Sequence, residues 1–359
     1  MPSRLPPSGF KGRGALSNPA NRFDKAHVEA VDDGWFQEEP VEAIATELIP
    51  DKSRSVIARN DSPDIGFDQS INPYRGCSHG CIFCYARPSH AYLGMSPGID
   101  FETKLVYKPD AAQVLREELS RPGYVCKYIM LGSNTDPYQP VERQLRVTRS
   151  ILEVLAEARH PVAITTRSVL LLRDLDLLAE MAGRSLVSVV FSMTTLDSDL
   201  KRKLEPRSAS GAARLHAIRA LRDAGVPVGV LAAPVIPAVT DSELETILER
   251  VAEAGATEAG YVLLRLPLEV ADLFRQWLQT HMPDRADHVM SLVQGARGGQ
   301  DNSSKFGERM RGTGVWAQLL RDRFRLACRR LGLNTVRRAQ LDITQFRPPS
   351  RGGQMDLGL

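Results

Sequence analysis

The sequence lacks a long apolar run and has few cysteines, and these two features exclude whole classes of protein. Its longest apolar run, residues 226–239, is interrupted by three prolines and is too short to span a bilayer. The N-terminus carries Arg4 and Lys11 but no apolar segment of a signal peptide. Five cysteines in 359 residues, three of them within eight positions, argue against a disulfide scaffold and for a reducing compartment. We therefore expect a cytoplasmic protein without a membrane span.

The three clustered cysteines, Cys77, Cys81 and Cys84, have the spacing C-x3-C-x2-C, which is typical of a loop and not of one helix face. Crowded thiolates favour soft metals and iron–sulfur clusters. A [4Fe–4S] cluster normally has four cysteine ligands, so three would leave one iron open to a small molecule. The alternative is a zinc site with His79 as the fourth ligand, but a residue two positions after Cys77 is poorly placed for that role.

Short apolar runs alternate with helical segments from residue 65 to residue 281, which is the pattern of a parallel sheet built from βα units. The pattern predicts strands at 70–74, 124–131, 161–166, 186–193, 226–235 and 260–266, with a helix after each. Six βα units in a row form either an open parallel barrel or a doubly wound sheet, and the order of the units does not separate the two.

The cysteine spacing and the residues around it, from Asn72 to Arg87, resemble those of the radical SAM superfamily. Residues 55–270 resemble its branch related to spore photoproduct lyase. The resemblance implies that Cys77, Cys81 and Cys84 hold a [4Fe–4S] cluster, and that its open iron chelates S-adenosylmethionine (SAM).

The same resemblance implies an α/β fold, a partial (βα)6 radical SAM barrel with an active site at the carboxyl ends of its strands. We place this barrel at 56–282, after an irregular N-terminal arm at 1–55. In the arm, Trp35 and Phe36 are candidates to anchor it onto the main body. A basic, mainly helical C-terminal extension follows at 283–359 and ends in a tail from Arg347.

The resemblance also assigns cofactor-binding residues near the first two strands. Phe83 would pack beside the adenine of SAM, and the backbone near Tyr85 would read the adenine edge. Asn134 and Asp136 follow the second strand and have acceptors suited to the methionine ammonium. Phe83 has an alternative role in shielding the cluster from water, and the 134–136 segment an alternative as an Asx turn before a proline.

Further along the chain, the resemblance places Ser192 and Thr194 at the ribose hydroxyls. It places Arg207 at the methionine carboxylate, which a guanidinium can bind with two parallel hydrogen bonds. Pro234 would form part of an apolar wall beside the adenine. The alternatives are a surface arginine for Arg207 and ordinary barrel packing for Pro234. Arg167 stands where related proteins often carry lysine, and its role is left open.

One departure from the branch concerns Ser133. Spore photoproduct lyase has a hydrogen-donating cysteine in a Cys-Thr-Ser-Asp context after its second strand, whereas this chain has Ser133-Asn-Thr-Asp. A serine hydroxyl is a far poorer hydrogen-atom donor than a thiol. The sequence therefore does not predict thymine-dimer repair by that mechanism.

The resemblance predicts a radical SAM enzyme that cleaves SAM reductively to a 5′-deoxyadenosyl radical, which abstracts hydrogen from a substrate that the motif does not name. A reductant such as flavodoxin or ferredoxin would supply the electron. No catalytic side chain is singled out.

The C-terminal region suggests an alternative function. Residues 297–351 contain twelve arginines and one lysine against four acidic residues, a net charge of +9. Such a region favours an anionic partner, although a solvated helix face has the same composition. The alternative is therefore a nucleic-acid binding or lesion-recognition protein with a structural iron–sulfur cluster.

Overall fold

A computed structural model of the chain describes residues 10–24, 44–335 and 340–349. The expected anchors Trp35 and Phe36 lie outside the described residues. The strands, numbered in chain order, are β1 (Glu47–Pro50), β2 (Ile57–Arg59), β3 (Gln69–Ile71), β4 (Tyr74–Arg75), β5 (Lys104–Tyr107), β6 (Ile129–Leu131), β7 (Val162–Thr166), β8 (Val187–Met193), β9 (Val228–Val235) and β10 (Glu258–Leu263).

The α-helices, also in chain order, are α1 (Asp100–Thr103), α2 (Ala111–Leu119), α3 (Glu142–Leu145), α4 (Val147–Glu157), α5 (Leu175–Ala182), α6 (Ser198–Leu204), α7 (Gly211–Asp223), α8 (Leu244–Ala254), α9 (Val270–His281), α10 (Ala286–Gly295) and α11 (Gly314–Leu331). Short 3-10 helices cover Arg87–Leu93, Val169–Asp174, Asp241–Glu243 and Pro283–Arg285. Within the described ranges, no helix is long and apolar enough to cross a membrane.

A seven-stranded sheet in the described residues has the order β10-β9-β8-β7-β6-β3-β2. Six of its strands are parallel and neighbour one another in chain order: β3, β6, β7, β8, β9 and β10. The remaining strand, β2, is antiparallel at one edge. A doubly wound sheet reverses its strand order at a switch point, and this sheet does not. The predicted partial (βα)6 barrel is confirmed, with β2 and β10 as its two edge strands.

The helices cover the outside of the sheet with apolar faces that the sequence pattern predicts. In α8, Leu244, Ile247, Leu248 and Val251 are buried along one stripe. The hydroxyl of Ser210 accepts a hydrogen bond from the Ala213 amide at 3.2 Å and so caps α7, as a serine at this position favours. The main core lies between these helices and β3 to β9.

Several elements differ from the predicted pattern. The second strand is only β6, since residues 124–128 contain no strand. The helix predicted at 142–158 is divided into α3 and α4 at Arg146, whose φ is 51°. A second sheet with the order β1-β5-β4 lies outside the barrel sheet, and β1 falls within the segment predicted as an irregular arm. Two- to four-residue strands carry too little alternation to be recognised from sequence.

The C-terminal region packs against the barrel. Its long helix α11 lies along α8 and shares an apolar cluster with β10. The segment 340–349 lies by the amino ends of the strands, where the ring of Phe346 stands 5.3 Å from that of Tyr124 and 5.4 Å from that of His160. The amide of Arg347, from which the sequence predicts a tail, donates to the Ala158 carbonyl at 2.9 Å.

Candidate cluster and cofactor site

The cysteine loop follows β3 and β4 at the carboxyl end of the barrel sheet. Cys77 and Cys81 are buried and Cys84 is half-buried. Gly80 has a φ of 69°, and a Cβ atom there would lie 2.6 Å from a carboxylate oxygen of Glu102. Only glycine meets both requirements, so the glycine between the cysteines is fixed by the tight fold of the loop.

The three thiols are mutual electrostatic neighbours. Burial raises the pKa of Cys81 and Cys84, the nearby thiols raise both further, and the guanidinium of Arg167 lowers both. Thiolates gathered in this way need bound cations to balance their charge. No three His, Cys, Asp or Glu side chains of the described residues stand close enough to hold a single metal ion. A cluster does not need three thiolates within reach of one ion, because each thiolate binds a different iron atom.

A buried ion pair stabilises the cysteine loop. The side chains of Arg87 and Glu102 are both fully buried and meet at 2.5 Å. The Nε and Nη2 atoms of Arg87 donate to the carbonyl of Cys81 at 3.0 and 2.8 Å. Because a guanidinium holds its donors in a rigid fork, this contact fixes the backbone of the middle cysteine.

The N-terminal segment 10–24 covers the same loop from outside. The amides of Gly14 and Ala15 donate to the Glu102 carboxylate at 3.0 and 2.8 Å, and Ala15 is fully buried with Ile82 and Phe83 in one apolar cluster. The segment therefore excludes water from one side of the cysteine loop.

Asp136 lies in the loop after β6, and its carboxylate accepts hydrogen bonds from neighbouring residues. Its Oδ1 accepts from the Tyr138 amide at 2.9 Å and the Thr166 hydroxyl at 2.7 Å, and its Oδ2 accepts from the Arg167 amide at 2.7 Å. His79 Nδ1 lies 3.3 Å from Oδ2. The bond from Tyr138, two residues on, closes the Asx turn that is the alternative role expected for this segment.

The same contacts set the charge state of His79. Burial lowers the pKa of His79, but Asp136 and Cys77 outweigh that effect and raise it to about 9. Burial alone would raise the pKa of Asp136, yet the facing imidazole keeps it below its usual value. The pair therefore ties the cysteine loop to the end of β6.

Asn72 organises the segment that contains Asn134. The Asn72 side-chain carbonyl accepts from the amides of Asn134 and Thr135 at 2.8 and 3.2 Å, and its NH2 group donates to the Ser133 hydroxyl at 3.1 Å. The hydroxyl of Tyr85 donates to the Ser133 carbonyl. The loop after β3 and the loop after β6 are thus joined at the barrel mouth.

Arg167 holds the centre of a buried network. Its Nη1 donates to Glu205 Oε2 at 2.7 Å and to the Thr194 hydroxyl at 2.8 Å. The other oxygen of Glu205 accepts from Arg214 at 2.5 Å. Glu205 is fully buried, and its Oε2 lies 3.9 Å from the thiol of Cys81. The network therefore contains one carboxylate and two guanidiniums, and its carboxylate lies beside the cysteine loop.

The network includes the two hydroxyls predicted to contact ribose. Ser192 and Thr194 lie at the end of β8 and donate to the carbonyl of Ala233 at 3.2 and 3.0 Å. Arg167 donates to the same carbonyl at 3.0 Å. Pro234 is the last residue but one of β9 and is buried. Each hydroxyl keeps an acceptor lone pair for a ligand.

Phe83 is buried and Arg207 is exposed. Phe83 is 5% exposed and has the guanidinium of Arg167 5.2 Å from its ring centroid. The side chain of Arg207 is exposed, and its amide donates to the His79 carbonyl at 3.2 Å. Arg207 therefore has its guanidinium available, while its backbone belongs to the cysteine loop.

Sequence reasoning missed Glu205, Arg214, Glu102 and Asn72 as members of the site. Glu205 stands two residues before Arg207. The available signal was a charged residue at the end of a helix and directly before a proline. Arg214 lies inside α7 and Glu102 in a four-residue helix, so neither has a local pattern. Asn72 begins the cysteine stretch, but its hydrogen-bonding partners are more than 60 residues away.

Comparison with known proteins found a matching family and similar sequences. Residues 71–251 match the radical SAM superfamily. An uncharacterized protein of Mycobacterium tuberculosis is 42% identical over 230 residues, which cover 64% of this chain and 68% of that protein. An uncharacterized protein of Methanocaldococcus jannaschii is 26% identical over 238 residues, which cover 66% of this chain and 85% of that protein.

A solved structure of spore photoproduct lyase, complexed with dinucleoside spore photoproduct, is similar to this chain with a TM-score of 0.59. The similarity covers 80% of each chain at 15% sequence identity. At this identity the likeness shows a common fold.

Proposed function

The chain belongs to the radical SAM superfamily and is a radical SAM enzyme, and we propose that it cleaves SAM reductively at a [4Fe–4S] cluster held by Cys77, Cys81 and Cys84. Its cofactors are this cluster and SAM. When bound, they supply a 5′-deoxyadenosyl radical that abstracts hydrogen from a substrate, with methionine as the other product. The observation that carries the proposal is the set of three mutually interacting thiols, two buried and one half-buried, in the loop at the carboxyl end of β3.

The protein's own residues hold and shield the cysteine loop. Arg87 fixes the carbonyl of Cys81, and Arg167 brings a positive charge to the thiolates. The amides of Gly14 and Ala15 donate hydrogen bonds to Glu102 and so hold the N-terminal segment against the cysteine loop. Exclusion of water strengthens these electrostatic interactions.

We assign the binding of SAM to residues at successive strand ends. Asn134 and the hydroxyls of Ser192 and Thr194 line the ends of β6 and β8, and the exposed guanidinium of Arg207 is available for a carboxylate. We also assign Phe83, Tyr85 and Pro234 to the binding of SAM, beside its adenine. Asp136 orients the loop after β6 through its three hydrogen bonds, and we retain it in the proposed site in that capacity.

Anaerobic reconstitution with iron and sulfide tests the proposal. We expect a brown, oxygen-sensitive protein that produces 5′-deoxyadenosine from SAM after reduction by dithionite. Cys81→Ala should lose both the cluster absorbance and the product, while Cys126→Ala, which lies outside the motif, should retain both. A wild-type protein that folds but assembles no cluster would refute the proposal. Replacement of dithionite by flavodoxin or ferredoxin tests the expected reductant.

A nucleic-acid binding function is the second candidate, and the basic C-terminal region favours it. Part of that charge is used internally, however. On α11, Arg323 pairs with Glu245 of α8 at 2.6 Å, and Arg330 pairs with Glu249. The charge available to an anionic partner is therefore smaller on this helix than its composition indicates.

A further inference from the structure

Glu205 is held beside the cysteine loop by backbone hydrogen bonds on either side of it. The Leu204 carbonyl accepts from the Ile82 amide at 3.0 Å, and the Arg207 amide donates to the His79 carbonyl at 3.2 Å. The segment that contains Glu205 is thereby paired with the cysteine loop along its backbone. Because Glu205 is also fully buried, its carboxylate stays beside the loop.

The carboxylate of Glu205 faces one of the proposed cluster ligands. Its Oε2 lies 3.9 Å from Sγ of Cys81, and both residues are buried. A protonated thiol donates a weak hydrogen bond across this distance, whereas a cysteine that binds iron is a thiolate. With the cluster bound, the contact therefore joins two negative charges. Their interaction is stronger in such a buried site than it would be in water.

Two arginines compensate the carboxylate of Glu205. Nη1 of Arg167 donates at 2.7 Å to Oε2, the oxygen that faces Cys81, and Arg214 donates to Oε1 at 2.5 Å. A carboxylate without such partners would not stay ionised in a buried site. Both Arg167 and Glu205 act electrostatically on the thiol of Cys81. This one ligand therefore has a fixed positive and a fixed negative charge close to it.

We propose that Glu205 lowers the reduction potential of the cluster through the thiolate of Cys81, and that Arg167 raises it. Reduction adds one electron, supplied by an external reductant, beside a group that is already negative, so the carboxylate disfavours the reduced state. A lower potential makes the reduced cluster a stronger reductant toward the sulfonium of SAM. Glu205 is not a catalytic residue, because it acts through Cys81. The inference rests on the proposed function, since it needs the cluster.

The remaining charges near this point stay the same in the test. Lys201 lies within electrostatic reach of Glu205 and Cys81, and its Nζ donates to the Pro206 carbonyl at 3.1 Å. On the other side of the loop, His79 faces a carboxylate of its own. Since these groups are not substituted, a change in potential reports the charge that a variant removes.

A redox titration of the anaerobically reconstituted, full-length protein without SAM, followed by electron paramagnetic resonance, measures the midpoint potential of the cluster. Glu205→Gln removes the negative charge and keeps the shape of the side chain, while Glu205→Asp keeps the charge. Arg167→Gln removes the positive charge from a side chain that is less buried than Glu205. Iron content and circular dichroism are measured for every variant.

Asp174→Asn is the matched control. Asp174 is fully buried and pairs with Arg149 at 3.1 Å and with Arg173 at 2.9 Å, so it too is a buried carboxylate between two guanidiniums. Its side chain contacts none of the cysteine thiols in the described residues. Its substitution therefore removes the same kind of charge from a site away from the cluster.

We expect Glu205→Gln to raise the midpoint potential, so that the ratio of reduced to oxidised cluster at a fixed solution potential increases about tenfold or more, which is about 59 mV for one electron. Arg167→Gln should lower the midpoint potential. Glu205→Asp should lie closer to wild type than Glu205→Gln does, and Asp174→Asn should keep the wild-type ratio within about twofold. A merely structural disturbance would not shift the two Gln variants in opposite directions.

A Glu205→Gln protein with a full cluster and the midpoint potential of wild type would overturn the inference. Shifts of the same sign in Glu205→Gln and Arg167→Gln would overturn it as well. If Glu205→Gln assembles no cluster, Arg167→Gln decides: a lower midpoint potential supports the inference and an unchanged one refutes it. A wild type that folds but assembles no cluster refutes the proposed function, whereas a wild type that cleaves SAM alongside variants without a shift refutes the inference alone.

Discussion

The carboxylate of Glu205 accepts hydrogen bonds from Arg167 at 2.7 Å, on the side of the cysteine loop. Its second oxygen binds Arg214 at 2.5 Å. Glu205 and Arg214 are essentially inaccessible to solvent, and Arg167 is 18% exposed. One buried carboxylate therefore compensates two guanidiniums, and burial and both arginines together hold the pKa of Glu205 below its usual value.

Substitution of Glu205 by Ala should strongly destabilise the fold, because it leaves the buried guanidinium of Arg214 and the half-buried guanidinium of Arg167 without a counter-charge. Breaking a buried pair in this way costs about 3–5 kcal/mol. Urea unfolding followed by circular dichroism measures the change in the free energy of unfolding. Glu205→Gln keeps one acceptor and should cost less than Glu205→Ala.

Glu249→Ala is the matched control, since Glu249 pairs with Arg330 between α8 and α11 at the surface. Exposed pairs contribute at most about 1 kcal/mol. Equal stabilities of Glu205→Ala and Glu249→Ala would show that the buried carboxylate is not what holds the two arginines in place.

The contrast between the cysteine loop and this network shows what the sequence can predict. Cys77, Cys81 and Cys84 are close in sequence, so their spacing alone indicates convergence. Apolar periodicity predicts the parallel strands because each βα unit is local. Glu205 and Arg167, by contrast, are 38 residues apart, and only the closure of the barrel brings them together. Long-range polar pairs of this kind leave no periodic signal.

Asp136 illustrates an intermediate case. Its sequence context permits both a ligand to an ammonium group and an Asx turn, since the two need the same acceptor oxygens. The structure shows hydrogen bonds from the Tyr138 amide, from the hydroxyl of Thr166 at the end of β7 and from the Arg167 amide. The role of Asp136 toward SAM stays a prediction.

Substitution of Glu102 by Ala should release the N-terminal segment from the cysteine loop. Glu102 accepts from the amides of Gly14 and Ala15 and pairs with Arg87. Hydrogen–deuterium exchange should therefore show faster exchange of the two amides, and reconstitution should yield less iron per chain. Glu117→Ala, on the exposed face of α2, should change neither. Unchanged protection of Gly14 and Ala15 in Glu102→Ala would contradict the assigned anchor.

Stability should fall as the pH falls from about 6.5 to about 4, and His160 should account for part of the loss. Burial lowers the pKa of His160 to about 4, although the Pro161 carbonyl opposes this. The groups that face its ring are the Tyr124 hydroxyl at 2.8 Å, the Pro161 carbonyl at 3.0 Å and the ring of Phe346. A neutral imidazole with its proton on Nδ1 donates to the Pro161 carbonyl, and its Nε2 then accepts from the Tyr124 hydroxyl, which also lies 2.9 Å from Gln69 Oε1.

Between the two pKa values the unfolded chain binds the proton and the folded protein does not. The free energy of unfolding therefore decreases by up to about 1.4 kcal/mol per pH unit for this one group. Burial lowers the pKa of His90 to about 4 as well, so wild type should show a steeper slope than one group gives. Denaturation at several pH values should show a shallower slope for His160→Gln, and parallel curves would rule out the assigned neutral histidine.

Substitution of Asn72 by Ala should weaken SAM binding without loss of the cluster. Asn72 contacts none of the cysteine thiols in the described residues, but its side chain accepts from the amides of Asn134 and Thr135. Loss of that acceptor leaves two amides of the proposed SAM-binding loop without a partner, at about 1–3 kcal/mol for each buried group. We expect the dissociation constant of SAM to rise by about tenfold or more, a change of about 1.4 kcal/mol per tenfold.

Equilibrium binding of SAM to the anaerobically reconstituted protein measures this effect, with iron content determined in parallel. Asn60→Ala is a suitable control, because Asn60 makes the same kind of bonds, to the Phe67 carbonyl and the Ser62 amide, in the loop between β2 and β3. Asn60→Ala should bind SAM like wild type. If Asn72→Ala keeps both its iron and its SAM affinity, the loop after β6 does not take part in SAM binding, and the assignment of Asn134 fails with it.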